Sequence, residues 1–233
     1  MERKVYLVMM AAGHGTRMGG DLPKQFLRLG GKAILQRSIE RFVAALPELK
    51  VITVLPEEYI PLWKEHCRSH NVLLPQTLVA GGITRFHSVR NALAKVPDGV
   101  IVAIHDGVRP LVSEALIRTM VARMETERAL IPVVPSVDTL KAVEQVRLPS
   151  GESVLRAIPG PEIDRSKVWC AQTPQLFRSE EIKAAYRQAY DTAFTDDASV
   201  AARNGIPLSY IEGERLNIKI TTPEDLALAE TIL

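Results

Sequence analysis

Arg17 and Lys24 are the cations on which a reading of this chain turns. They stand in the stretch KVYLVMMAAGHGTRMGGDLPKQ (residues 4–25), where the apolar run from Val5 to Met10 breaks into Ala11, Ala12, Gly13, His14, Gly15 and Thr16. A short apolar run of this kind predicts a buried strand. The small residues after it let backbone N–H groups approach a ligand closely. Amides converging after a strand favour an anion, most often a phosphate. An arginine fork and a lysine point charge beside them suit a polyphosphate whose charge grows during reaction. The competing reading is that both are solvated loop charges, as most surface lysines and arginines are.

Two known phosphate loops are excluded by spacing. Gly13, Gly15 and Gly19 give G-x-G-x-x-x-G, longer by one residue than the dinucleotide fingerprint, without the expected downstream acid. Gly20 is followed by Asp21 and Leu22, where a P-loop carries Lys and Ser/Thr.

Further polar groups follow predicted strands. Gly81-Gly82-Ile83-Thr84-Arg85, with Ser88 one turn into the next helix, either receives the edge of a base or simply caps that helix. In His105-Asp106-Gly107-Val108-Arg109-Pro110, Asp106 suits ribose hydroxyls or a metal-bound water, or else pairs structurally with Arg109. His105 reads as a packing residue without chemistry. Lys219, in Asn217-Ile218-Lys219, and Arg165 each face solvent or anchor a phosphate, and spacing does not decide which.

The elements that must position these groups alternate. Helices are predicted from Ile34 to Leu46, Pro61 to Ser69, Thr84 to Lys95, Ser113 (as cap) to Glu127 and Ser179 to Tyr190. Another runs from a Thr195 cap to Ala202, and the last is capped by Thr222 with Pro223 at its first position. Strands are predicted at Val51 to Leu55, around Pro75, at Val100 to Ile104, Leu130 to Val134, Leu208 to Ile211 and Ile218 to Ile220. This alternation predicts an α/β fold with a doubly wound, mostly parallel, Rossmann-like sheet, in which ligands gather outside the carboxyl ends of the strands. From Ser136 to Val168 the alternation stops. Thr139 to Val146 and Val154 to Ile158 flank a Leu-Pro-Ser-Gly-Glu turn, which reads as an inserted β-hairpin. A hairpin with little core of its own needs a partner surface, so residues 138–168 are read as a dimerisation arm on a single domain spanning 1–233.

Composition narrows the classes. The chain has 233 residues, 46% of them hydrophobic and 24% charged, and a net charge of +2 without dense basic runs, which argues against a nucleic-acid binder. Cys67 and Cys170 lack metal-ligand spacing and read as buried packing residues of a reduced, cytoplasmic protein. No signal-peptide pattern or membrane-length apolar run is present, so neither secretion nor a membrane is expected.

The first stretch resembles the signature loop of sugar-nucleotide-type nucleotidyltransferases, and among them the cytidylyltransferases of polyol phosphates. Across essentially the whole chain, AAGHGTRM with LPKQ, GGITRFHSV, HDGVRP, DTLK, IDRSKVWCAQTPQLF, FTDDASV and NIKITTPEDL occur in an order similar to the 2-C-methyl-D-erythritol 4-phosphate cytidylyltransferases. The resemblance implies transfer of a cytidylyl group from CTP with Mg²⁺ held mainly by the CTP phosphates. It also implies a homodimer whose arms reach the partner's site. By the same resemblance Arg17 and Lys24 stabilise the transition state, Arg165 and Lys219 position the substrate phosphate, and Thr139 assists. Gly82, Ser88, Asp106 and Gly107 would line the cytidine pocket, and Ala11, Ala12, Gly13, Gly15, Arg85, Arg109 and Thr173 complete the expected binding set. Met10, Ile83 and Leu216 depart from the family pattern, which has Pro at the first position and commonly acidic residues at the other two. Ribitol 5-phosphate cytidylyltransferases share most of these motifs, and a non-catalytic nucleotide binder on the same fold is the alternative from another class.

Overall fold

The structure is a computed structural model that describes residues 3–13 and 22–233. Its centre is β1 (Val5–Met10), followed by the short hairpin β2 (Arg28–Leu29) and β3 (Lys32–Ala33), then α1 (Ile34–Ala45) and β4 (Lys50–Leu55). The next units are α2 (Ile60–Ser69) with β5 (Gln76–Ala80), then α3 (Arg85–Leu93) with β6 (Ile101–Asp106). These are followed by α4 (Glu114–Arg123) with β7 (Ala129–Pro135). The arm strands β8 (Val143–Arg147) and β9 (Ser153–Ala157) precede β10 (Trp169–Ala171) and β11 (Gln175–Arg178). The chain ends with α5 (Ser179–Ala185), α6 (Asp197–Arg203), β12 (Ser209–Glu212) and α7 (Pro223–Ile232).

The main sheet runs β10-β7-β11-β6-β1-β4-β5, with β12 also paired to β7. β1 pairs in parallel with both β4 and β6, and β4 with β5. β10 and β11 run against this direction, whereas β12 is parallel to β7. The sheet is therefore mostly parallel, as the alternating pattern predicts, with a reversal that the pattern does not reveal.

The continuous apolar run of β1 exists because both faces of the sheet are covered. Val8 and Met10 face a core built with Phe86, Val89 and Leu93 of α3 and with residues of α5 and α6. Leu7 and Met9 face the opposite core, formed with Leu35, Ile39 and Phe42 of α1, Trp63 of α2, and Leu116, Ile117 and Met120 of α4. Two-residue alternation along one strand thus closes two separate cores.

Several expected boundaries shift for physical reasons. α6 is capped by Asp196 instead of Thr195, because the Asp196 carboxylate accepts the Ser199 N–H while the Ser199 hydroxyl accepts the Asp196 N–H. α5 stops at Ala185, and Tyr186 turns inward to stack on Phe86 with ring centres 4.7 Å apart. α4 ends at Arg123 rather than Glu127. Residues 218–220 form no strand, because the Ile220 N–H bond to the Val108 carbonyl stands without a ladder around it. Cys170 is exposed and Cys67 half-buried, which corrects their reading as buried packing residues; both are free. The cap of α7 is as expected, with Thr222 and Asp225 forming a capping box ahead of Pro223.

The arm is a two-stranded sheet of its own, with Val143 opposite Ala157 and Arg147 opposite Ser153. Val143, Leu155, Ile158 and Ile163 of this segment are exposed. Thr139 lies ahead of β8, so the first arm strand is shorter than the sequence suggests.

Gly107 follows β6 and donates its N–H to the Met10 carbonyl at 2.8 Å. A Cβ there would meet Leu35 Cδ1 at 2.9 Å and the Met10 carbonyl oxygen at 3.1 Å. Gly107→Ala should lower stability by roughly 1–3 kcal/mol through overpacking at the β1–β6 junction. The midpoint of urea denaturation measures this, and an unchanged midpoint would mean that the junction yields without cost.

Candidate functional site

A cavity of about 420 Å³ opens where β1 and β6 end and α3 begins. This is the carboxyl edge of the parallel strands, where ligands of doubly wound sheets bind. Ala11, Ala12 and Gly13 form one wall, Gly82, Thr84, Arg85 and Ser88 another, and Lys24, Asp106 and Lys219 bring charge to it.

Each wall is built locally. Lys24 starts a single 3-10 turn after Pro23, and its ammonium donates to the Ile220 carbonyl at 3.1 Å. The neighbouring Gln25 side chain is buried and donates to the carbonyls of Ala11 (2.8 Å) and Gly13 (3.1 Å). The LPKQ turn is thereby tied to the end of β1. At α3, Thr84 caps the helix, and Ser88 accepts the Gly82 N–H at 2.9 Å while donating to the Thr84 carbonyl. The Ser88 hydroxyl therefore shapes the turn as well as lining the cavity.

Asp106 is the electrostatic centre. Its carboxylate lies 3.0 Å from Lys219 Nζ, 3.4 Å from Arg109 Nε and 4.0 Å from Arg85 Nη2. Burial by itself would raise its pKa, but the cations of Arg85, Lys219 and Arg109 outweigh burial and hold it well below the usual carboxylate range. Lys219 lines the cavity beside Asp106, with its side chain 42% exposed. Arg85 also meets Asp197 in a two-pronged pair at 2.8 and 2.6 Å. Asp197, fully buried, is a residue that sequence reasoning missed, as are Gln25, Thr84 and Thr221.

Other expected residues stand elsewhere. Arg109 spends its guanidinium on Asp106 and the Asn217 carbonyl, and neither it nor Gly107 lines the cavity. Thr173 is not a cavity residue either; its hydroxyl accepts the Asp106 N–H at 3.0 Å from behind. Thr139 and Arg165 are exposed on the arm, and Arg165 donates to the Val137 carbonyl. In this one chain they do not join Lys24, Asp106 and Lys219. Arg17 and Gly15 lie outside the described residues. Of the positions that depart from the family pattern, Met10 is buried in the cavity wall, Ile83 lies 96% exposed at its rim, and Leu216 is exposed away from it.

A mostly parallel α/β sheet with a cationic cavity at its strand ends defines the class as an α/β nucleotidyltransferase. The family model described as IspD: 2-C-methyl-D-erythritol 4-phosphate cytidylyltransferase matches residues 5–233, and the chain belongs to that family. A 2-C-methyl-D-erythritol 4-phosphate cytidylyltransferase from Porphyromonas gingivalis is 43% identical over 234 residues, covering 100% of this chain and 99% of its own. One of the same name from Phocaeicola vulgatus is 41% identical over 228 residues, covering 98% and 99%. The crystal structure of the enzyme of that name from Thermus thermophilus is similar at a TM-score of 0.70 and 30% identity, covering 100% of this chain and 98% of its own.

His105 makes a pH-dependent contribution to stability. It is fully buried against Phe42, its Nε2 lies 3.1 Å from the Arg109 carbonyl, and its Nδ1 lies 3.1 Å from the Thr173 hydroxyl. A carbonyl only accepts, so Nε2 carries the proton and Nδ1 accepts from Thr173. Burial of this neutral ring lowers its pKa from 6.5 to about 4. Between those values the unfolded chain binds the proton and the folded one does not, so stability is full above pH 6.5 and falls as pH drops toward 4. The loss is up to about 3 kcal/mol. His66, lowered chiefly by burial, acts in the same direction, whereas the stability contributed by Asp106 is fully present above its ordinary value of 3.8 and is lost only as pH falls below it. His105→Asn should flatten the slope of unfolding free energy between pH 6.5 and 4. An unchanged slope would show that His105 is not the responsible group.

Proposed function

We propose that this chain transfers the cytidylyl group of CTP to 2-C-methyl-D-erythritol 4-phosphate, releasing pyrophosphate. The observation that carries this reading is the convergence of Lys24, Lys219, Arg85 and Asp106 on one cavity beside the Ala11–Gly13 and Gly82 backbone. An oxygen of the substrate phosphate attacks the α-phosphorus, and the bond to the pyrophosphate oxygen breaks. That nucleophile is already ionised at neutral pH, so no protein base or covalent intermediate is required. Catalysis reduces to alignment and neutralisation of charge at phosphorus.

In this reading Lys24 and Arg17 stabilise the transition state, and Lys219 holds the substrate phosphate beside Asp106. Gly82 and Ser88 receive the cytosine edge, and Asp106 takes the ribose hydroxyls. Among the described cavity residues Asp106 is the one carboxylate, and no described group of acidic, histidine or cysteine side chains could by itself hold a metal. That donor set fits a Mg²⁺ carried mainly by the triphosphate oxygens, with Asp106 the residue able to reach it. When bound, Mg²⁺ would offset charge on the phosphates and the leaving pyrophosphate.

The proposed protein is one nucleotidyltransferase domain in a homodimer, with arm residues 138–168 crossing to the partner's site. The exposed apolar side chains of the arm, and the place of Arg165 and Thr139 outside the lining of their own cavity, support that arrangement. The proposed setting is the cytoplasm, where free thiols stay reduced.

Purified protein with CTP and Mg²⁺ should release pyrophosphate with methylerythritol phosphate in clear preference to ribitol 5-phosphate. Reversed preference would move the chain to the ribitol enzymes, and no turnover with either would sink the catalytic reading. Lys24→Ala or Arg17→Ala should lower kcat by roughly 10² or more, as removal of transition-state donors does elsewhere. A near-normal kcat would refute their role.

Mixing an Arg17→Ala chain with an Arg165→Ala chain tests the shared site. Random pairing makes about half of the dimers mixed, each with one site free of both changes, so activity near a quarter of wild type is expected. If Arg165 acts within its own chain, activity stays low despite confirmed mixing.

A further inference from the structure

Asp197 is a carboxylate with no exposed surface, inside a core whose other members are largely apolar. Such a group is retained only if it is paired, and here the pairing runs directly to the cavity wall. Asp197 Oδ1 and Oδ2 each accept from the Arg85 guanidinium, at 2.8 and 2.6 Å. The Tyr186 hydroxyl donates to Oδ1 at 2.5 Å. Burial and the adjoining carboxylate push the Tyr186 phenol well above its ordinary value, so it keeps its proton and remains a donor. Asp197 itself does not line the cavity, whereas Arg85 does.

Arg85 stands between two carboxylates. It is locked to Asp197 and lies 4.0 Å from Asp106, which Lys219 and Arg109 approach more closely. Without the clamp, the half-buried guanidinium would turn to the nearest remaining anion, Asp106. There it would compete with Lys219, the cation that the cavity offers to a phosphate.

Resting on the reading of the cavity as the CTP site, we propose that Asp197 is a positioning residue for the nucleotide. It fixes Arg85 in the cavity wall and keeps it from taking Asp106 away from Lys219. Two of the five guanidinium N–H groups go to Asp197, which leaves the rest of the fork for the cavity side. A purely structural role, pinning α6 to α3, would affect folding without changing the affinity for CTP.

The test is steady-state kinetics of Asp197→Asn at a temperature well below its unfolding transition. The KM for CTP should rise about tenfold or more, the scale of one lost charge-assisted hydrogen bond. The KM for methylerythritol phosphate should change less than that for CTP, because Lys219 is reached only indirectly, through Asp106. In an Arg85→Met background the added Asp197→Asn change should leave the KM for CTP unaltered, since the residue acts only through Arg85. Should Asp197→Asn not fold, Tyr186→Phe loosens the clamp without removing its charge and should raise the same KM in smaller measure. Absence of CTP turnover by the wild-type protein would overturn the reading on which the clamp rests, and the clamp with it. Normal wild-type turnover with an unchanged KM for CTP in the variant that folds, or full additivity with Arg85→Met, overturns the clamp alone.

Discussion

The structure depends on the compensation of one buried charge. Asp106 ends β6 with its carboxylate almost out of water, a position tolerable only with cations close by. Those cations come from three separate places: Arg85 opens α3, Arg109 lies in the turn after β6, and Lys219 belongs to the C-terminal segment. The requirement to neutralise a single carboxylate therefore draws distant parts of the chain to one point. It also fixes the ionisation of Asp106 across the physiological range, so the cavity presents a constant charge pattern to a ligand.

A rigid support is needed to hold that point in place, and the sheet supplies it. β1 lies between β4 and β6 and is buried on both faces, so the ends of β1 and β6 cannot shift independently. Met10 stands opposite Asp106 in the register, and the Gly107 N–H bonds the Met10 carbonyl. Residues 11–13 after β1 and the carboxylate that ends β6 are thus adjacent by construction. Behind them, the Thr173 hydroxyl accepts the Asp106 N–H and donates to His105 Nδ1, an arrangement that suits a neutral histidine.

What could be read from the sequence follows from how local each cause is. The run Val5 to Met10 and the Thr222 cap are decided by neighbouring residues, and both were legible. The reversal at β10 and β11 was not, because Trp-Cys-Ala and Gln-Leu-Phe-Arg carry no mark of direction. Ile218 to Ile220 has strand-like composition, but a strand needs a ladder partner and composition says nothing about one. For the site, glycines and charged residues after strands marked the cavity's walls and Asp106, whereas Lys219 stayed open by spacing and entered only through the family resemblance. Gly107, Arg109 and Thr173 share those motifs yet support the walls from behind, a distinction that depends on which way a side chain turns. Asp197 was hidden for a different reason. In FTDDASV it stands just after the expected Thr195 cap with no local sign of burial, and only Arg85, 112 positions away, makes it a buried counter-ion.

The charges of the described cavity explain why the chain needs more than these residues to handle a triphosphate. Lys24, Arg85 and Lys219 bring cations, but Asp106 offsets one of them, and Asp197, just behind the wall, offsets Arg85. The described part of the cavity is therefore only mildly positive, which suits reversible binding of a nucleotide better than tight capture of free polyphosphate. A reaction that concentrates charge at one phosphorus then needs cations supplied close to it. In the proposed mechanism these are Arg17 on the glycine-rich stretch, the metal carried by the nucleotide, and Arg165 from the partner's arm. A site that is completed only on assembly keeps its strongest electrostatic stabilisation for the moment when both substrates are aligned, and binding energy spent there lowers the barrier instead of deepening the ground state.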